Sequence, residues 1–152
     1  MNDLDRSTEL QEFLRQHKWH NAQIIALKTD ASQRRYYRLS QHERSVILMD
    51  ARRSAVDETK RFQRIASHLF AQDLSAPQIY GADHDLGALL VEDLGDDLLS
   101  GFWAKGAQSA YPIYQKAVDM LLALQASAPP AFLAQPDAQD LAVMITPAFE
   151  FY

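Results

Sequence analysis

Three short segments rich in aliphatic, aromatic and β-branched residues follow one another with only polar turns between them: "AQIIALK" (22–28), "RRYYRLS" (34–40) and "SVILMD" (45–50). Turns this short leave the segments little choice but to pair as three consecutive antiparallel strands. Everything else in the chain has to be built around that sheet. Ahead of it, Thr8 and Gln11 have capping-box spacing, and Leu10, Phe13, Leu14 and His17 follow at helical period, which predicts a short opening helix. Behind it, Ser54 and Asp57 start a second helix, whose apolar face runs through Phe62, Ile65, Ala66, Leu69 and Phe70 to about residue 72. "APQIYGADHD", opened by Pro77, and "GALLVEDLG" read as two more strands joined by an Asp/His/Gly turn. The expected order is α-β-β-β-α-β-β.

After Gly95 the pattern changes. "DDLLSGFWAKGAQSA" is a connecting stretch, and from Tyr111 to Gln125 apolar residues occupy more than one helical face, the pattern of a helix buried on most sides. "SAPPAFLAQPDAQ" reads as a Pro-rich linker. Asp140 to Tyr152 begins as an apolar helix, meets Pro147 and ends on "AFEFY", where a core would be expected to continue. These features divide the chain into residues 1–95 and residues 96–152. An uncovered helix at 111–125 and an aromatic end would favour self-association or a complementing chain.

Composition narrows the function classes. In a chain of 152 residues, 47% hydrophobic content is enough for a real core. A net charge of −5 and a pI near 5.4 argue against a nucleic-acid partner or an anionic membrane surface, since each needs a concentrated basic face. The absence of cysteine removes disulfides, thiolate metal sites and thiol nucleophiles together. "MNDLDRSTEL" lacks a basic-then-apolar leader pattern, and no apolar run is long enough for a membrane span, so the expectation is a cytoplasmic protein.

"DASQRRYYRL", "VILMDA" and "LLVEDLGD", in that order and spacing, resemble the aminoglycoside phosphotransferase family, in the branch of anomeric kinases acting on N-acetylmuramate and N-acetylglucosamine. The likeness covers nearly the whole chain. It implies an α+β fold: a protein-kinase-like N-terminal lobe, with a five-stranded antiparallel sheet and helices, followed by the first helices of a C-terminal lobe. It also implies an ATP-dependent phosphotransferase with magnesium, a nucleotide and a small-molecule acceptor, a sugar of cell-wall recycling in this branch. An aminoglycoside, a choline-like compound or thiamine would be the acceptor in neighbouring branches.

Each candidate site residue has a plainer alternative. Asp30, Ala31 and Ser32 are small and turn-forming, which suits backbone N–H groups closing on a phosphate; alone, they are an ordinary hairpin feature. The family has Gly where Thr29 stands. The third strand offers Met49 and Asp50 where many kinases carry a lysine. Arg34 and Arg38, alternating with the core-like Tyr37 and Leu39, are the candidate cations for the nucleotide side, or simply solvated strand arginines. Glu58 shares a helix stripe with Phe62, Ile65 and Leu69, so either it has a cationic partner from the second strand or it serves the helix dipole. By resemblance, the backbones of Glu92 and Leu94 would read adenine, and Gly95 would permit the turn that follows. His17 with His20, and Asp83-His84-Asp85, lack a recognised metal-ligand spacing and read as a helix end and a turn.

The H-x-D-x-x-x-x-N loop and the metal-binding acidic segment of such kinases do not occur in residues 96–152. No catalytic residue and no metal ligand is therefore assigned. The expectation is a chain lacking the catalytic half, or a non-catalytic nucleotide-binding module that pairs with another chain. A downstream reading frame encoding H-x-D-x-x-x-x-N would favour the first.

Overall fold

The computed structural model describes residues 3–28, 34–51, 56–97, 99, 101 and 107–151. Its elements are α1 (Asp3–Gln16), β1 (Gln23–Ala26), β2 (Arg35–Gln41), β3 (Arg44–Asp50), α2 (Val56–Phe70), β4 (Ile79–Asp83), β5 (Ala88–Glu92), α3 (Ala107–Ala126) and α4 (Ala138–Phe151). The expected α-β-β-β-α-β-β order is observed. All five strands form one antiparallel sheet in the order β1-β2-β3-β5-β4.

Burial on both faces explains why "VILM" of β3 and "ALLV" of β5 are continuous apolar runs rather than alternating ones. Leu39, Val46, Leu48, Ala88 and Leu90 are buried on one face, with Phe13 and Leu14 of α1 and with Trp19. Met49, Leu89 and Val91 are buried on the other, where Tyr36, Ile47, Ile79 and Phe62 of α2 pack against them. A sheet covered on both faces needs apolar residues at every position of its central strands. Fully burying one Leu side chain contributes about 1.5–3 kcal/mol, so Leu39, Leu89 and Leu90, each fully buried, anchor both layers.

Several boundaries differ from expectation. Helix α1 starts at Asp3, so Thr8 lies inside it rather than capping it. Strand β4 begins at Ile79, two residues after Pro77, and its register against β5 shifts between Ile79 and Gly81. The Ser54 cap lies outside the described residues.

Both α1 and α2 end in the same way. Lys18 adopts φ 63° and the Trp19 N–H donates to Leu14 O at 2.7 Å; Asp73 adopts φ 55° and the Leu74 N–H donates to Leu69 O at 3.0 Å. These are Schellman-type closures, built here without the usual glycine. The first of them turns Trp19 into the core, where the Arg44 guanidinium lies 5.6 Å from the ring centroid.

The chain forms two compact units, Met1–Tyr114 and Gln115–Tyr152, and the division falls within α3. In the second unit Asp137 caps α4: its Oδ1 accepts the N–H groups of Gln139 and Asp140 at 2.8 Å, and Asp140 Oδ2 accepts the Asp137 N–H at 3.1 Å. The helix starts at Ala138 for that reason, and its backbone continues through Pro147 to Phe151. The burial expected for residues 111–125 is not found in this chain. Tyr111, Val118, Leu121 and Leu122 are each more than half exposed, as are Val143 and Met144 of α4.

A close approach ties α1 to the sheet. A Cβ added at Gly81 would lie 2.4 Å from Cδ2 and Nε2 of His17. The ring cannot easily move, because Nδ1 is 2.9 Å from Phe13 O and the Phe13 ring packs against it at a centroid distance of 4.5 Å. Gly81→Ala should therefore destabilise the protein by roughly 1–3 kcal/mol through overpacking. In a His17→Ala background the same change should be nearly neutral, as read by urea unfolding of all four chains. Equal costs in both backgrounds would show that the ring does not set the glycine requirement.

Candidate functional site

On β2, side chains alternate between the two layers. Tyr37 and Leu39 join the α1 side, while Tyr36 joins the α2 side. Arg34 and Arg38 share the Tyr36 side by the strand period. The register places Arg38 beside Ile47 of β3, and Ile47 beside Val91 of β5. A side chain as long as arginine can reach from there over β3 to the segment that follows β5.

That is where the Arg38 guanidinium goes. Its Nη1 donates to Asp96 Oδ2 at 2.7 Å, and its Nη2 donates to Asp96 Oδ1 at 2.9 Å and to Asp93 Oδ1 at 3.0 Å. Its Nε lies 2.8 Å from Asp93 Oδ2 but is not aligned to donate, so this contact is one of charge. The two carboxylates differ sharply in environment. The Asp93 side chain is 5% exposed and that of Asp96 is 81% exposed. Burial pushes the Asp93 carboxyl up, but hydrogen bonds from Arg38, the Ser45 hydroxyl and the Gly95 N–H outweigh it, and the net result lies below the usual carboxylate range. Asp96 is lowered chiefly by its hydrogen bonds from Arg38. The same partners, Asp96 first and then Asp93, raise the Arg38 guanidinium above its ordinary value.

Asp93 also shapes the backbone. Its Oδ1 accepts the Gly95 N–H at 3.0 Å, and Gly95 has φ 80°, so residues 93–95 form a side-chain-closed turn at a glycine-favouring position. Leu94, at the tip, is 67% exposed. Among the described residues no group accepts its N–H. Glu92 is tied to the edge strand instead: its N–H donates to Gln78 O at 2.8 Å, and its Oε2 accepts the Gln78 N–H at 3.1 Å.

Arg34 has a different partner. Its Nε donates to Glu58 Oε2 at 3.0 Å, linking the start of β2 to the first turn of α2. Tyr36 first, and then Glu58, raise the guanidinium against the opposing effect of burial. Glu58 is about half exposed; among the described side chains of α2, Thr59 and Ala66 are buried. Glu58 therefore sits at the helix edge, serving the first turn and an arginine at once, while Met49 on β3 is buried and apolar.

Asp30, Ala31 and Ser32 lie outside the described residues. Sequence reasoning missed Asp93 and Asp96, although the acidic run "EDLGDD" was a signal that some cation had to answer it. The histidine candidates hold the fold together. His17 packs at Gly81, and His84 Nδ1 lies 2.9 Å from Oγ1 of the buried Thr59. Among the described residues no cluster of three His, Asp or Glu groups could hold a metal ion, and no described helix is long and apolar enough to cross a membrane.

The lowered carboxylates make the Arg38 cluster acid-sensitive. Its contribution is complete above the unfolded carboxylate pKa of about 4 and is lost as pH falls through the lower folded values. Without Arg38, burial of Asp93 is opposed only by the Ser45 hydroxyl and the Gly95 N–H, so its carboxyl rises relative to the parent and the slope flattens. Arg38→Gln should thus lose less stability than the parent between pH 5 and pH 3 in urea titrations, and parallel profiles would contradict the assignment.

Comparison with known proteins places this geometry. The model of the phosphotransferase enzyme family matches residues 23–149. The chain is 32% identical to an N-acetylmuramate/N-acetylglucosamine kinase of Caulobacter vibrioides, over 85% of this chain and 42% of that protein. It is 33% identical to a protein of the same description from Pseudomonas aeruginosa, over 68% of this chain and 30% of that protein. The chain thus spans less than half the length of the curated relatives it matches. The five-stranded antiparallel sheet with its helices is the α+β arrangement of a kinase-like N-terminal lobe. By the match across most of its length, the chain belongs to the phosphotransferase enzyme family.

Proposed function

We propose that this chain is the nucleotide-binding lobe of an ATP-dependent small-molecule kinase whose acceptor is an amino sugar of the N-acetylmuramate or N-acetylglucosamine type. The lobe proper is residues 1–95, and residues 96–152 begin a helical lobe. The observation that carries this reading is the Arg34–Glu58 pair. Kinases position a cation at the nucleotide phosphates by pairing a strand lysine with a glutamate of the next helix. Here the glutamate is on α2, directly after β3, while the β3 position holds Met49. The cation comes from the start of β2 instead.

The pair is suited to this use because it is not a buried structural bridge. Both side chains are at least one-third exposed, and such pairs contribute only about 0–1 kcal/mol to stability. Arg34 also follows Asp30, Ala31 and Ser32 with only Gln33 between, so the proposed phosphate-side turn and its cation are close in sequence. At the other end of the sheet, Leu94 offers an N–H with no partner among the described residues, and Glu92 lies two residues before it, the spacing proposed for reading adenine. ATP would supply the phosphoryl group. Magnesium would supply charge neutralisation, and no described residue of this chain is assigned to it. The sugar acceptor rests on the descriptions of the two relatives.

Arg34 should therefore matter to phosphates and not to the base. In NMR titrations of this chain, Mg-ATP should bind weakly and shift the Arg34 signals, and Arg34→Gln should weaken ATP by roughly tenfold or more, the usual value of a charge-assisted contact. The same change should leave adenosine unaffected. ATP binding that is indifferent to Arg34, or no binding at millimolar nucleotide, would overturn the reading.

A further inference from the structure

Arg38 was a candidate phosphate cation, yet its guanidinium is already engaged by two carboxylates. Both Nη atoms are hydrogen-bonded, and Nε lies against the fourth carboxylate oxygen without donating to it, so four contacts of 3.0 Å or less join the guanidinium to Asp93 and Asp96. A phosphate would have to displace two carboxylates, one of them nearly buried. The partners stand 55 and 58 residues further along the chain, with β3 between their strand and that of Arg38. What the guanidinium does is span the sheet and grip the two ends of a four-residue turn.

The contents of that turn give the grip a purpose. Asp93 simultaneously closes onto the Gly95 N–H, Gly95 holds a positive φ, and Leu94 projects at the tip with its N–H unpartnered among the described residues. An N–H donor held in one direction is a recognition element, because adenine presents an acceptor at N1 where guanine presents an N–H donor. Fixing it requires two carboxylates to be held at a set separation. A planar fork does this and a point charge does not.

We infer that Arg38 is a positioning residue for base selection: by clamping Asp93 and Asp96 together it holds the Leu94 N–H in the orientation that accepts adenine and refuses guanine, without touching the nucleotide itself. This rests on the nucleotide-lobe reading, and it moves Arg38 from the phosphates to the base.

The test uses the whole 152-residue chain with Arg38→Lys, Arg38→Gln and Asp96→Asn, the last severing only the exposed arm so that folding is retained. Mg-ATP and Mg-GTP affinities are measured by NMR titration, together with hydrogen exchange of the Gly95 amide, which donates to Asp93 Oδ1. The parent should prefer ATP. All three variants should lose preference toward equal binding, least in Asp96→Asn, and Gly95 amide exchange should rise by about tenfold in both Arg38 variants. Arg38→Lys should fail to rescue selectivity, although it restores charge and part of the stability. If both nucleotides bind and the preference survives in Arg38→Gln, or is fully restored by lysine, the inference is overturned while the nucleotide reading stands. If neither nucleotide binds the parent chain, both fall.

Discussion

Asp93 is a carboxylate with almost no solvent, standing where the central strand pair runs out, and the arrangement around it follows from what neutralises it. A buried charge without a partner is costly, and three donors answer this one: Arg38 from two strands away, Ser45 from the adjacent strand and the Gly95 N–H from its own turn. Each partner fixes something. Arg38 fixes the turn relative to β2, Ser45 fixes it relative to β3, and Gly95 fixes its internal shape. The turn that leaves the sheet is thus held by its acid group rather than by its apolar residue, since Leu94 faces solvent.

The same division of labour runs across the sheet. Its two apolar layers, one under α1 and one under α2, supply the stability. The polar links lie at the margins of these layers and join elements that packing alone would leave free to slide: Arg34 to Glu58, Thr59 to His84, and Arg38 to Asp93 and Asp96. Of these, the Arg34–Glu58 pair is exposed enough to take a ligand's charge, while the Arg38 guanidinium is already held by two carboxylates, one of them almost buried. Two arginines on one strand face therefore have different work. That difference comes from where acidic residues lie in the folded chain and not from the arginines themselves.

The strands were legible because their apolar content and short turns leave few other arrangements, and because buried central strands carry uninterrupted runs such as "VILM" and "ALLV". The layer assignment of Tyr37 and Leu39 was legible by the period-two rule. Helix ends were less so: Lys18 and Asp73 take left-handed conformations that glycine would have advertised, and Thr8 matches a capping pattern from within a helix. The choice of partner for Arg38 was not legible, because it depends on register through β3, and nothing local in "RRYYRLS" refers to a turn more than fifty residues away. The apolar pattern of residues 111–125 was read correctly as helix, but periodicity states only that a face is apolar, not that this chain covers it.

The central claim is that Arg38 and Asp93 act as one unit. A double-mutant cycle measures this directly, with Arg38→Gln, Asp93→Asn and the double variant compared by urea midpoint at pH 7. If the pair is a unit, each single change lowers the midpoint and the double variant is no worse than the poorer single one, because the buried carboxylate that needed an arginine has gone with it. Midpoint losses that simply add would mean that the two residues stabilise the protein independently, and the account of the turn built on their pairing would be wrong.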